Sequence, residues 1–325
     1  MIDWKDHVTL PEMRMETHFD GRQFPCFVKR PPSFYAMWED AVKQRPDHEA
    51  ISFDGQRWTY AQAAAEVDRI ACGFAARGIR QRDRVVMFIS NRPEFVFVLF
   101  ALQKLGVISV PVGTREQGPG LAYIVNQCGA SGIVFDENLA DRIPDELTSP
   151  GLRVRVSTGA AVSNGEALSA LEGAEVGVAK VNEEDCACIL YTSGTTGNPK
   201  GAMLTHLNIA HSVIHYEVAM KLGKDDRGAL AVPASHVTGL IALIAEMVHV
   251  KGTLIVIAEF KAADFVPLVA KERISFSLMV PAMYQLCLLQ ESFTKLDLST
   301  WRVGGFGGAP MPVPTVRRVL MSSRA

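Results

Sequence analysis

A chain of 325 residues is long enough for about two domain-sized units, and 48% hydrophobic with 21% charged residues gives it ample core. A net charge of −2 supplies no basic field of the kind nucleic-acid binders use and no polybasic membrane patch. Six scattered cysteines without a C-x-x-C pair are too sparse for a disulfide scaffold, and a reducing cytoplasm is the expected location.

The first fifteen residues carry charges where a signal peptide needs an apolar core. Residues 1–32 have no strong period, and Pro31-Pro32 reads as a stiff lead-in. Ser33 opens a helical pattern with Phe34, Met37, Trp38, Ala41 and Val42 on one face. Asp54-Gly55, between Ile51–Phe53 and Arg57–Tyr60, predicts a hairpin. Thr59 and Gln62 form a capping-box pair for a helix that stops at Gly78. Strand and helix patterns then alternate: strand Arg84–Ser90, a helix with Pro93 in its first turn and Gly106 past its end, and strand Val107–Val112. A stripe of Leu121, Ile124, Val125 and Cys128 precedes strand Ser131–Phe135. This is the rhythm of a parallel sheet covered on both faces. Residues 138–182 give only short candidate elements, around Leu152–Val156 and Glu166–Leu171.

Strand Cys186–Thr192 follows, with Cys186 and Cys188 read as buried strand residues, then a glycine-rich loop and a helix from about Thr205 to Leu222. A second series runs through strand Ala229–Val232, a helix near Thr238–Val250, strand Thr253–Ala258 and a helix near Ala262–Lys271. Strand Ser275–Val280, helix Ala282–Gln290, the segment Trp301–Pro312 and a basic helical start complete it. The most apolar stretches, Phe95–Val112 and Val237–Phe260, are interrupted by Gln103 and Lys104 and by Glu246, His249 and Lys251, so neither reads as a membrane span.

The chemistry concentrates in Tyr191–His206, YTSGTTGNPKGAMLTH. Glycines let backbone N–H groups turn inward around an anion, Ser and Thr add hydroxyl donors, and Lys200 adds a charge that can follow a polyphosphate. It is not a Walker A loop: Lys200 follows Pro199, and Gly201 stands where that loop has a metal-binding hydroxyl. A flexible linker would not sit between a buried strand and a helical pattern. At strand carboxyl ends of an open α/β sheet, ligands collect.

The run Thr192–Gly201 resembles the signature of the adenylate-forming superfamily, [ST]-S-G-[ST]-T-G-x-P-K-G, with every fixed position filled. Two further segments extend the resemblance. Pro233–Leu240, PASHVTGL, is similar to the family's second core motif, with Ser235 in place of the usual aromatic residue. Gly304–Pro312, GGFGGAPMP, is similar to its G-G-A-P-[LM] segment. Pro111–Ala130 also resembles a family segment of structural role, and Arg115 and Glu116 read as solvated turn residues.

The resemblance implies an AMP-forming acyl-CoA synthetase. A carboxylate attacks the α-phosphorus of Mg-ATP, pyrophosphate leaves, and a thiol such as that of coenzyme A then displaces AMP. The implied fold is α/β, two βα-layered subdomains with mostly parallel sheets: a lead-in and hairpin over 1–60, a first subdomain over 61–222 and a second over 223–325. The family's next motif, which supplies an acid for Mg²⁺, and its small C-terminal domain are absent from this sequence, so the chain reads as an N-terminal portion expected to be weak or inactive alone. Carried over by motif, Thr192, Ser193, Gly194, Thr195, Thr196, Gly197 and Lys200 hold the ATP phosphates, with Lys200, Thr196 and His236 assigned to catalysis. Gly308, Ala309 and Pro310 lie by the adenylate, and His236, Val237, Thr238, Gly239, Gly304, Gly305 and Phe306 border the acyl group. The expected partners are a small carboxylic acid (a fatty acid by base rate), ATP with Mg²⁺, coenzyme A, and a second copy of the chain in a homodimer. A non-catalytic nucleotide- or acyl-binding module, and a ligase that loads a carrier protein, are the alternatives.

Two other patterns carry less. His211 and His215 share a helix face, yet an H-E-x-x-H site needs Glu where Ser212 stands, and they read as ordinary helix residues with no resident metal ion. No G-x-S-x-G elbow is present, so a serine-hydrolase reading finds no nucleophile.

Overall fold

The computed structural model describes residues 8–192 and 198–322. Its strands, in chain order, are β1 (Met13–His18), β2 (Arg22–Phe27), β3 (Glu49–Phe53), β4 (Gln56–Thr59), β5 (Arg84–Phe88), β6 (Ile108–Pro111), β7 (Gly132–Phe135) and β8 (Val154–Ser157). The series continues with β9 (Glu166–Ala167), β10 (Cys186–Thr192), β11 (Lys200–Thr205), β12 (Arg227–Leu230), β13 (Thr253–Val256), β14 (Phe276–Met279) and β15 (Val303–Phe306). The helices are α1 (Phe34–Gln44), α2 (Tyr60–Ala76), α3 (Pro93–Lys104), α4 (Gly118–Cys128), α5 (His206–Met220), α6 (Val237–Gly239), α7 (Glu246–His249), α8 (Ala262–Lys271), α9 (Pro281–Leu288) and α10 (Val313–Ser322).

The strands form two mostly parallel sheets, of order β11-β10-β6-β5-β7-β8-β9 and β15-β14-β12-β13-β3-β4, beside the separate β1-β2 ribbon. The α/β architecture expected from the alternating patterns is therefore present. In the seven-stranded sheet side chains alternate as the pleat requires: Val85 and Met87 enter the large core shared with the second sheet, while Val86 and Phe88 pack under α4 with Leu121 and Ile124. Helix α3 is apolar on every side, as a helix enclosed by protein must be, and Phe100 stacks on Trp38 at 4.6 Å and meets Phe34 edge-on. Polar residues sit at its two ends: Glu94 pairs with Arg92 at 2.8 Å, Lys104 pairs with Asp68 at 2.7 Å, and Gln103 donates to Ser109 Oγ and to the Ala187 carbonyl. Among the described residues no helix is long and apolar enough to cross a membrane.

Several details differ from the sequence reading. The hairpin at Asp54-Gly55 forms, but its strand β3 pairs in parallel with β13, so it extends the second sheet rather than standing as a lead-in. Residues 1–32 were read without periodic structure, yet β1 and β2 pair across a turn at Phe19, Asp20 and Gly21, all at positive φ. The segment after the glycine-rich loop is first a strand: β11 runs antiparallel to β10, with Lys200 opposite Thr192, and only at His206 does α5 start, under a Thr205/Asn208 capping box. β10 and β11 therefore pair as neighbouring antiparallel strands before the helix begins.

The helix after His236 begins as α6, widens to a π-helix over Leu240–Ala245, and ends as α7. Glu246 at that junction is fully buried, and neither carboxylate oxygen finds a hydrogen-bond partner. Burial, reinforced by Glu217 and Asp226, pushes its carboxyl up to about 9.

Candidate active site

The carboxyl ends of β5, β6, β12 and β13 open onto one cleft of about 570 Å³, walled by Ser90–Asn91, Gly113–Arg115, Ala231–His236 and Ala258–Phe260. Parallel strands deliver their carboxyl ends to a common edge, and the two sheets face each other there. Next to it a crevice of about 120 Å³ is bounded by Tyr191, Thr192 and Pro199 of the β10–β11 hairpin, by Glu116, and again by Gly113, Ser235 and His236. Three residues thus belong to both spaces, and Tyr191, Thr192 and Pro199 meet the His236 segment around them.

Of the residues expected to hold the ATP phosphates, Thr192 and Lys200 are described, both exposed and directly opposite on the two hairpin strands. Ser193, Gly194, Thr195, Thr196 and Gly197 lie outside the described residues. Tyr191 ties the hairpin to α4, its hydroxyl donating to Gln127 Oε1.

His236 is exposed at the cleft mouth and occupies the N-cap of α6, its carbonyl accepting the Leu240 N–H at 2.8 Å. Val237 is exposed and Thr238 half-buried, whereas Gly239 is buried. A Cβ on Gly239 would lie 2.3 Å from the Pro233 carbonyl oxygen and 2.8 Å from Ala234 Cα. Only glycine lets the helix start that close to the Pro233–Ala234 backbone, which holds the His236 turn in place.

Gly304, Gly305 and Phe306 form the end of β15, an edge strand paired in parallel with β14. Tyr284 donates its hydroxyl to the Gly305 carbonyl at 2.7 Å. Gly304 and Phe306 line a separate apolar crevice of about 80 Å³ with Tyr284, Trp301 and Met311. Gly308, at φ +79°, turns the chain past the strand, and Ala309 and Pro310 follow it in exposed positions. The structure thus brings Thr192 and His236 to one crevice and sets Gly304 and Phe306 on another.

Sequence reasoning missed three residues of the cleft. Arg115 and Glu116, read as solvated turn residues, are wall residues of the cleft and crevice. Asn91 is the third. Buried at the end of β5, it donates Nδ2–H to the carbonyls of Leu230 (3.2 Å), Val232 (2.9 Å) and Ile257 (3.0 Å), and its Oδ1 accepts the Ala234 N–H at 2.8 Å. A polar amide closing an apolar strand, just before a Pro-started helix, was the available signal. Its neighbours are held by Asp136, whose carboxylate accepts the Ser90 N–H at 2.8 Å and pairs with Arg92 at 3.3 Å.

His211 and His215 each pack a ring against Phe27 with centroids 4.9 Å apart.

This geometry agrees with what the chain is similar to. Residues 38–322 match the family of AMP-binding enzymes. The chain is 31% identical over 279 residues to a feruloyl-CoA synthase of Amycolatopsis sp, covering 86% of this chain and 55% of that protein. It is 31% identical over 264 residues to the long-chain-fatty-acid–CoA ligase FadD13 of Mycobacterium tuberculosis, with 80% and 52% covered. Among solved structures, the N-terminal domain of FACL13 from Mycobacterium tuberculosis superposes with a TM-score of 0.79 at 26% identity, over 89% of this chain and 73% of that one. The chain spans about half the length of the curated relatives it matches. It belongs to the AMP-binding enzymes, on their acyl-CoA synthetase branch, and corresponds to the N-terminal portion of such an enzyme.

Proposed function

We propose that this chain carries the nucleotide- and acid-binding part of an ATP-dependent acyl-CoA synthetase. A carboxylate oxygen attacks the α-phosphorus of Mg-ATP, the bond to pyrophosphate breaks, and the acyl-adenylate is then cleaved by a thiol, that of coenzyme A, with release of AMP. The observation that carries this reading is the crevice in which Thr192 and the hairpin adjoin Ser235 and His236, continuous with the larger cleft. Lys200, across from Thr192, supplies a mobile positive charge to the pyrophosphate side, and Thr196 a hydroxyl within the loop. Mg²⁺ enters as part of the ATP complex. Gly308, Ala309 and Pro310 take the adenylate side, while His236 to Gly239 and Gly304 to Phe306 border the acyl group. Catalysis in this scheme is positioning and charge neutralisation at the phosphates.

The acid is a small-molecule carboxylate, with a fatty acid as first candidate; relatives are named for acids from ferulate to long-chain fatty acids. Ser235, in place of an aromatic residue, leaves the junction of crevice and cleft open to a bulky acyl group. The test is calorimetry of this chain with ATP, inorganic pyrophosphate and a decanoyl-sulfamoyl-adenosine, a non-reactive mimic of the acyl-adenylate. Micromolar binding of the mimic, competed by ATP, is the expected result. Absence of binding by all three would refute the assignment.

A further inference from the structure

The phosphate hairpin and the His236 segment belong to different sheets, so their relative position depends on whatever ties those sheets together at the cleft. At the carboxyl ends of β12 and β13 the parallel ladder closes with the Ile257 N–H donating to the Leu230 carbonyl. Beyond that point the chain diverges, and the carbonyls of Leu230, Val232 and Ile257 converge on the single carboxamide of Asn91. The same side chain returns an acceptor to Ala234, two residues before His236. One residue just past β5 therefore bonds four backbone groups at and beyond the ends of β12 and β13.

Its own position is equally fixed. Asp136, at the end of β7, accepts the Ser90 N–H and the Thr158 hydroxyl and pairs with Arg92. These contacts hold Ser90 and Arg92 on either side of Asn91. Few side chains fit such a socket. A carboxylate in place of the amide would turn an oxygen toward three carbonyl oxygens, and an apolar residue would take the side-chain partner from the Val232 and Ile257 carbonyls and the Ala234 N–H.

We propose that Asn91 is a positioning residue for the adenylation site: its carboxamide holds the Ala231–His236 rim in register with the phosphate hairpin. The claim rests on the acyl-CoA synthetase reading given above for its ligand, although the clasp itself can be tested without it. Ligands that touch only the hairpin are then indifferent to Asn91, whereas a ligand that spans hairpin and rim depends on it.

The experiment compares the unmodified chain with Asn91→Asp, and with Asn91→Ser should the first variant not fold. Hydrogen exchange is read at the Ala234 amide and across 231–239. In the unmodified chain Ala234 is expected in the slow class with β12. In the variant, exchange over 231–239 rises at least tenfold while α4 and β7 keep their rates. Calorimetry supplies the second readout: affinity for decanoyl-sulfamoyl-adenosine falls tenfold or more, and affinity for inorganic pyrophosphate stays within twofold. A general loss of stability would weaken both ligands together and would overturn the positioning role. So would a rapidly exchanging Ala234 in the unmodified chain, or unchanged exchange in the variant. If the unmodified chain binds neither ligand, the function assigned to the cleft fails, and the exchange data alone decide the clasp.

Discussion

Glu246 is an acid that the fold keeps protonated. Its carboxyl is fully buried at the end of the π-helical stretch, has no hydrogen-bond partner, and is raised from 4.5 to about 9. In the unfolded chain the group ionises near 4.5, so between these two values folding takes up a proton. Stability from this group is complete below pH 4.5 and is lost as pH rises toward 9, by about 1.4 kcal/mol for each unit. At pH 7.5 about three units have been crossed, which sets an upper bound of about 4 kcal/mol. Local relaxation and water entry reduce such penalties, so roughly 2–4 kcal/mol is expected. Glu246→Met keeps the volume, removes both polar oxygens and cannot ionise. Urea unfolding of both proteins at intervals from pH 5 to 8.5 should give curves that diverge, the variant gaining on the parent at up to about 1.4 kcal/mol per unit. Curves that run parallel over that range would refute the argument that Glu246 is folded in its neutral form.

His206 should act on the opposite limb. Its Nδ1 accepts the Phe34 N–H at 3.1 Å, and burial lowers its pKa from 6.5 to about 4. Here the unfolded chain binds the extra proton, so stability present above pH 6.5 is lost as pH falls through 4, by up to about 3 kcal/mol; His206→Gln should flatten the acid side of the same urea series. Gly239→Ala forces a Cβ into the Pro233 carbonyl and should cost about 1–3 kcal/mol, read as a lower urea midpoint with weaker acyl-adenylate-mimic binding. An unchanged midpoint would show that the helix start can move freely. Lys200→Ala should weaken ATP and pyrophosphate roughly tenfold, the loss of one charge-assisted contact. Calorimetric affinities equal to the parent's would remove the lysine from the pyrophosphate side.

The element sequence was legible because most helices and strands here carry undiluted local signals. Ser33 and Thr59 accept from the expected helix N–H groups, at Ala36 and Gln62. Helix α8 spans the expected Ala262–Lys271 despite Pro267 inside it. Pairing was not legible, because which strand lies beside which is decided by packing across the whole chain. Strand β11, KGAMLT, offers no clean alternation and its residues are all exposed or half-buried, so no strand is expected between the glycine-rich loop and the helix from about Thr205. The β1-β2 hairpin was missed for a similar reason, although Asp20-Gly21 marks its turn. At the site, motif residues announced themselves by type and spacing. Asn91 did not, since its partners are backbone groups from a distant part of the chain.

The placement of β3 and β4 bears on how the chain folds as it is synthesised. Their ladder partner β13 arrives late: the Thr253 hydroxyl and the Glu49 carbonyl it bonds are 204 residues apart in sequence. At about 5–20 residues per second a ribosome needs roughly 10–40 s to cover that distance. Until then β3 of the hairpin at 49–59 has no β13 to pair with. The second sheet therefore joins residues 49–59 to residues 227–306, and its β13-β3 ladder closes only after Thr253 has emerged.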